Sequence, residues 1–202
     1  HDRRLRRVLP HRRGLHPLMT LTRNDILALP HLQALGFERS RGVLCDGIST
    51  DSRTVSHGSL FIALRGEKFD GHNFITKAAE SGAGAIIADA SWAEANPIML
   101  SSLNLPRMIV EDTVHAFGRL ANAHRRKFKI PVLVVGGSNG KTTTKEMVSA
   151  VLRTKFRVLS TEGNLNNHIG VPQMLLRLER QHQMAVIEIG TNHFGEITHL
   201  CS

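Results

Sequence analysis

The chain reads as an α/β protein: a small α/β unit, then the start of a doubly wound, mostly parallel sheet of the P-loop kind. Three observations carry that reading. First, the apolar runs Leu60–Leu64, Ala85–Ala88, Ile130–Val135 and Met184–Ile187 lack alternation, the pattern of strands buried on both faces. Second, helix-like segments separate those runs, and strands that alternate with helices build parallel sheets. Third, Val135-Gly136-Gly137-Ser138-Asn139-Gly140-Lys141-Thr142 sets a glycine-rich turn between an apolar strand and a helix. That order cradles a nucleoside triphosphate.

The N-terminal arm, residues 1–18, carries six arginines (3, 4, 6, 7, 12 and 13) against one acid, Asp2, which accounts for most of the formal net charge of +9. It contains Pro10 and Pro17 and lacks both an aromatic for base stacking and the apolar core of a secretory signal. It is expected to be a disordered extension preceding Met19, and nucleic acid is not expected as a partner. Two cysteines, Cys45 and Cys201, offer neither a disulfide framework nor a metal-binding Cys-x-x-Cys pair, so a reducing compartment fits. No run approaches the roughly 20 apolar residues of a membrane span.

Folded sequence is expected from residue 19. Thr22 with Asp25 is a capping pair opening a helix through Leu29. Extended segments follow at 43–48 and 59–64. A helix is expected over 73–81, with Phe74, Ala78 and Ala79 inward and Gly82 as its stop. Residues 91–107, with Pro97 and Pro106, read as loop. Met108–Val110 is a strand, and Asp112 caps a helix to about Arg126, whose end His124-Arg125-Arg126-Lys127 suits the negative end of a helix dipole better than a binding patch. Residues 143–153 give the helix after the glycine loop, with Met147, Val148, Val151 and Leu152 on one inward face, and another helix is expected near 170–179. The division is therefore a 1–18 arm, a unit at 19–110, a connecting helix at 111–130, and a second unit at 131–202.

The glycine loop lets successive N–H groups point at phosphate oxygens, and the helix behind it adds its positive end. Lys141 can reach the β- and γ-phosphates, and the Thr142 hydroxyl can hold Mg²⁺. Glu188 closes an apolar strand. A carboxylate there faces solvent or a ligand, which makes it a candidate Mg²⁺ ligand opposite Thr142. The loop Thr161–His168, with Asn164, Asn166 and Asn167, is either ordinary turn chemistry or a polar lining of the phosphate side. His193 is a weaker candidate of the same sort. Thr50-Asp51-Ser52-Arg53 after Ser49 can hold a sugar or pyrophosphate, or cap its own turn, and Asp70-Gly71-His72 reads likewise.

Taken together, these stretches resemble the Mur ligases. Gly137-Ser138-Asn139-Gly140-Lys141-Thr142-Thr143-Thr144-Lys145-Glu146-Met147 is similar to their ATP loop. Ser49–Arg53 with Leu60–His72 is similar to the UDP-binding N-terminal domain. Asn164–Pro172 is similar to the asparagine loop, and Glu188–Ile197 to the Mg²⁺-carrying strand end. The Ser-Asn loop and the double Asn favour the family members that add D-alanyl-D-alanine to UDP-N-acetylmuramoyl-tripeptide.

The resemblance implies a cytoplasmic, ATP- and Mg²⁺-dependent amide ligase of peptidoglycan synthesis, acting through an acyl phosphate and monomeric when full length. It implies that Gly137–Thr143 bind ATP, that Thr142 and Glu188 serve the metal, and that Lys141, Asn166, Asn167 and His193 line the transfer region. Thr50, Asp51, Ser52 and Arg53 would hold the UDP-substrate. Gly136 departs from the family's usual Thr, with a small effect expected. The residues after Pro131 supply three strands at most, so the resemblance also implies a fragment without turnover of its own. The competing expectations are another Mur-type ligase (diamino-acid-adding), a folylpolyglutamate-type ligase, and a non-catalytic nucleotide- or RNA-binding protein. The Asp-Ser-Arg and Asp-Gly-His signatures favour a UDP-sugar over a folate.

Overall fold

The computed structural model describes residues 20–36, 43–66 and 69–190. The basic arm, Cys201 and the candidate His193 lie outside the described residues. The chain opens on β1 (Thr20–Thr22), which pairs antiparallel with β3 (Val43–Asp46). Thr22 also caps α1 (Arg23–Leu27). Its hydroxyl accepts the Asp25 N–H at 3.3 Å, and the Asp25 carboxylate accepts the Thr22 N–H at 2.8 Å, the reciprocal pair that the sequence predicts.

Five strands form the first sheet, in the order β2 (Gln33–Leu35), β7 (Arg107–Val110), β6 (Ala85–Asp89), β5 (Leu60–Ile62) and β4 (Ile48–Ser49). Only β2 is antiparallel to its neighbour. Side chains alternate across the sheet, and both faces are covered. Leu60, Ile62, Ile87 and Met108 enter one core with Ile26, Phe117 and Leu120. Phe61, Ile86, Ala88 and Ile109 enter the other with Ile75, Ala78 and Ala93.

Two local expectations fail here. The helix expected over 73–81 is a 3₁₀ turn (Gly71–Phe74) followed by α2 (Ile75–Glu80). The tighter turn rotates the inward face, so Ile75 and Ala78 are buried and Phe74 stands 46% exposed. The segment read as loop holds two helices, α3 (Ala90–Ala95) and α4 (Pro97–Ser102). Asp89 caps α3 by accepting the Trp92 N–H at 2.7 Å. Pro97 sits in the first turn of α4, where a missing N–H costs no hydrogen bond. A proline that reads as a breaker thus starts a helix.

Asp112 caps α5 (Thr113–Arg125), accepting from the N–H groups of Val114 at 2.7 Å and His115 at 3.0 Å. The basic end of α5 is tied down. The Arg125 guanidinium donates to the carbonyls of Phe128 and Ile130, and Lys127 pairs with Asp25 at 2.8 Å. His124 is buried, and its Nε2 meets the Leu178 carbonyl at 3.0 Å. Burial pushes its imidazole below the usual value, so the ring is neutral and donates to that carbonyl.

The second sheet is fully parallel, ordered β8 (Val132–Val135), β10 (Met184–Glu188), β9 (Val158–Ser160). Leu159, Met174, Leu178, Ala185 and Ile187 form its core. The helix near 170–179 is shorter than expected, α7 (Gly170–Leu175), and Leu176 beyond it packs into the first sheet's core. In α6 (Lys141–Arg153) the predicted inward face is half right: Val148 and Leu152 are half-buried, but Met147 and Val151 are not. Lys145 and Ser149 are buried, whereas Met147 is 65% and Val151 69% exposed. The row of Lys145, Ser149 and half-buried Leu152 packs on the strand ends because the Lys145 ammonium finds a carbonyl partner there.

Candidate functional site

Beyond β8 the chain turns through Gly137 (φ 139°) and Gly140 (φ 74°). Gly140 is the N-cap of α6 in the left-handed region, where a β-carbon would be strained, and no side chain caps the helix. The first N–H groups of α6 therefore stay available to an anion, with the helix dipole behind them. Lys141 curls back over the loop, its Nζ 2.7 Å from the Gly137 carbonyl and 3.3 Å from that of Ser138. Ser138, Asn139, Thr142 and Thr143 are exposed around the same turn. A β-carbon on Gly136 would lie 3.4 Å from the Ile189 side chain, an ordinary contact, so the position has room for a side chain.

Opposite the loop, β10 ends in Glu188, which pairs in register with Val135 and is only 2% exposed. Its Oε1 accepts from Asn166 Nδ2 at 2.8 Å and from Thr142 Oγ1 at 3.3 Å. Its Oε2 is buried with no partner among the described residues. Leaving a buried carboxylate oxygen unpaired is costly unless a ligand completes it. A carboxylate and a hydroxyl are hard oxygen donors suited to Mg²⁺. No group of three or more His, Cys, Asp or Glu among the described residues could hold a metal alone. An ion here would complete its shell with phosphate oxygens and water, which is how Mg²⁺ commonly binds nucleotides.

Of the other candidates at this end, Asn166 is anchored by its backbone, its carbonyl accepting the Gly190 N–H at 2.6 Å. Asn167 does not join it. Its Oδ1 accepts from the N–H groups of Ile169 at 3.1 Å and Gly170 at 2.8 Å, capping the start of α7. Thr161 and Lys145, which the sequence places in these motifs without individual roles, belong to the site's frame. Thr161 Oγ1 accepts the Glu188 N–H at 2.8 Å, and Thr161's own carbonyl accepts from buried Lys145 at 2.8 Å. The available signal was the spacing of Lys145, one turn past Lys141.

The second candidate cluster sits at the carboxyl ends of β4, β5 and β6, the edge where open α/β sheets bind ligands. After β4, Asp51 accepts from the Arg53 guanidinium at 2.7 and 2.9 Å and from the Arg53 N–H at 2.9 Å. The Arg53 contact holds the Asp51 carboxyl below its usual range. The Asp51 carbonyl also accepts from the hydroxyls of Ser49 and Thr54. Ser52 is buried, Thr50 half-buried and Arg53 exposed, so this is a self-capped turn that presents a cation. Beside it, His72 is fully buried, its Nδ1 2.5 Å from Asp70 Oδ1. Its Nε2 accepts the Asp89 N–H at 3.0 Å, which puts the ring proton on Nδ1. Arg65 bridges Asp70 and Asp89, both at 3.1 Å.

Family comparison bears on both clusters. Residues 45–125 match the Mur ligase family, catalytic domain, and residues 135–202 match the Mur ligase middle domain. The chain is 44% identical to the UDP-N-acetylmuramoyl-tripeptide–D-alanyl-D-alanine ligase of Escherichia coli K12 over 77% of this chain and 32% of that protein. It superposes on the corresponding ligase of Acinetobacter baumannii with TM-score 0.77 and 36% identity, covering 92% of this chain and 40% of that one. A MurF ligase from Thermotoga maritima in complex with ADP gives TM-score 0.65 and 34% identity over 76% of this chain and 34% of that one. The chain thus spans about a third of the length of the curated relatives it matches. With both domain matches in sequence order and the same fold in the solved relatives, the chain belongs to the Mur ligase family.

Proposed function

We propose that this chain carries the UDP-substrate and ATP-phosphate sites of a cytoplasmic ligase that joins D-alanyl-D-alanine to UDP-N-acetylmuramoyl-tripeptide in peptidoglycan precursor synthesis. The observation that supports it most is the Glu188 carboxylate, which shares one oxygen with Thr142 and Asn166 and leaves the other without a partner among the described residues, behind a glycine loop. The likeness to ligases named for these substrates supplies the reaction. The division at about residues 110 and 130 follows the same reading, with a UDP-binding unit before it and a nucleotide-binding unit after.

In this reading ATP, with Mg²⁺, supplies the phosphoryl group that activates the tripeptide's terminal carboxylate. The N–H groups of Gly137–Thr143 cradle the phosphates, and the Lys141 ammonium exchanges its two loop carbonyls for β- and γ-phosphate oxygens. Thr142 and Glu188 fix the cation. Asn166 holds the Glu188 carboxylate in the rotamer that serves it. Asn167 shapes the loop through its cap, and His193 is proposed to face the transfer region. Arg53, oriented by Asp51, meets the UDP diphosphate, flanked by Thr50 and Ser52.

Titration with a fluorescent ATP analogue in Mg²⁺ tests the assignment. Lys141→Ala should weaken binding by about tenfold or more, the scale of a lost charged hydrogen bond. UDP-N-acetylmuramoyl-tripeptide affinity should stay unchanged. Equal nucleotide affinity in both proteins would reject the loop's role.

A further inference from the structure

Lys145 is a buried cation that the proposed reaction does not use. It is 1% exposed, and its ammonium donates to the Thr161 carbonyl at 2.8 Å and to Glu146 at 2.6 Å. Glu146 is itself 59% exposed, so the pair is not sealed from both sides. Burying an ammonium is expensive, and a buried ion pair is often no more stabilising than apolar side chains of similar volume in place of both partners. Stability alone is therefore a poor account of a lysine at this position.

The contacts around it close a ring. Thr142 and Lys145 lie one turn apart on α6. The Thr142 hydroxyl meets the Glu188 carboxylate at 3.3 Å. The Glu188 N–H meets the Thr161 hydroxyl at 2.8 Å. The Thr161 carbonyl returns to Lys145. Helix, β9 end and β10 end are thereby tied together by three polar links, one at each corner.

We infer that Lys145 is a positioning residue, which sets the distance between the Thr142 hydroxyl and the Glu188 carboxylate by clamping the end of β9 against α6. It touches neither nucleotide nor cation and acts through Thr161. The inference rests on the reading of those two oxygens as the cation site. Partners behind metal ligands commonly change metal affinity by about 10- to 100-fold when removed.

Two readouts on the 202-residue chain test it. Without ligand, Lys145→Met should speed amide exchange at Thr161 and Glu188 at least about tenfold, leaving the amides of β5 and β6 unchanged. In nucleotide titrations, Lys145→Met should raise the half-saturating Mg²⁺ concentration about tenfold and leave affinity in EDTA unaltered. Thr161→Val should have the same effect, and the double variant should exceed neither single change appreciably, as expected of one chain of contacts. The thermal midpoint of Lys145→Met should match or exceed wild type. Unchanged exchange at Thr161 and Glu188 overturns the inference, as does a loss of affinity equal with and without Mg²⁺. If the wild type binds no nucleotide, the cation-site reading falls, while exchange still decides whether Lys145 clamps the strand end.

Discussion

The chain buries two charged clusters at the carboxyl ends of parallel strands, and they are finished to different degrees. Around His72, every polar atom has a partner: Asp70 and the Asp89 N–H occupy its two nitrogens, and Arg65 bridges both carboxylates. Asp89 is further held by Ser91 and the Trp92 N–H. Around Glu188, one carboxylate oxygen has two donors and the other none among the described residues. A completed network holds a fold together, whereas an incomplete one at a strand end is consistent with the cation site proposed above. Burial of charge does not separate the two clusters; completeness does.

The sharpest way to break this comparison is to damage the finished cluster. His72→Ala should cost about 3 kcal/mol, combining a cavity with uncompensated carboxylates, as read by denaturant unfolding. Nucleotide binding at the second sheet should survive in the fraction that remains folded. A smaller effect comes from pH at the junction of α5 and the segment after α7. Burial holds His124 below its usual value, so the unfolded chain binds the proton more readily. Its stabilising contribution is complete above about pH 6.5 and is lost as pH falls below that, at no more than about 1.4 kcal/mol per unit. His124→Gln, which can still donate to the Leu178 carbonyl, should flatten the acid limb of a stability-versus-pH curve. The smallest effect is on the exposed side of α6: Val151→Gln should change stability by less than about 0.5 kcal/mol, measured by thermal melting.

Where local chemistry decides structure, the sequence could be read directly. Thr22 with Asp25 and Asp112 before Val114 announce their helices, and the apolar run before Glu188 announces a buried strand. Position relative to distant partners could not be read. Met147 and Val151 look inward by period, yet Lys145 wins the buried side because the Thr161 carbonyl, sixteen residues away, accepts a hydrogen bond from its ammonium. Phe74 turns outward because a 3₁₀ turn precedes α2, and Pro97 begins a helix because Asn96 before it ends another. Of the paired asparagines, spacing alone could not tell that Asn166 reaches the carboxylate while Asn167 caps α7. His72 likewise reads as a turn residue, and only the fold brings Asp89 to its far nitrogen.

Thermal melting of the wild type and of Glu188→Gln, with and without ATP and Mg²⁺, tests the contrast between the two clusters most directly. If the unpaired oxygen belongs to a cation site, Glu188→Gln melts at or above the wild type without ligand, because a costly buried charge is gone. It then fails to show the Mg²⁺-dependent upward shift that nucleotide gives the wild type. A Glu188→Gln protein that melts lower without ligand and keeps the full shift would contradict the account.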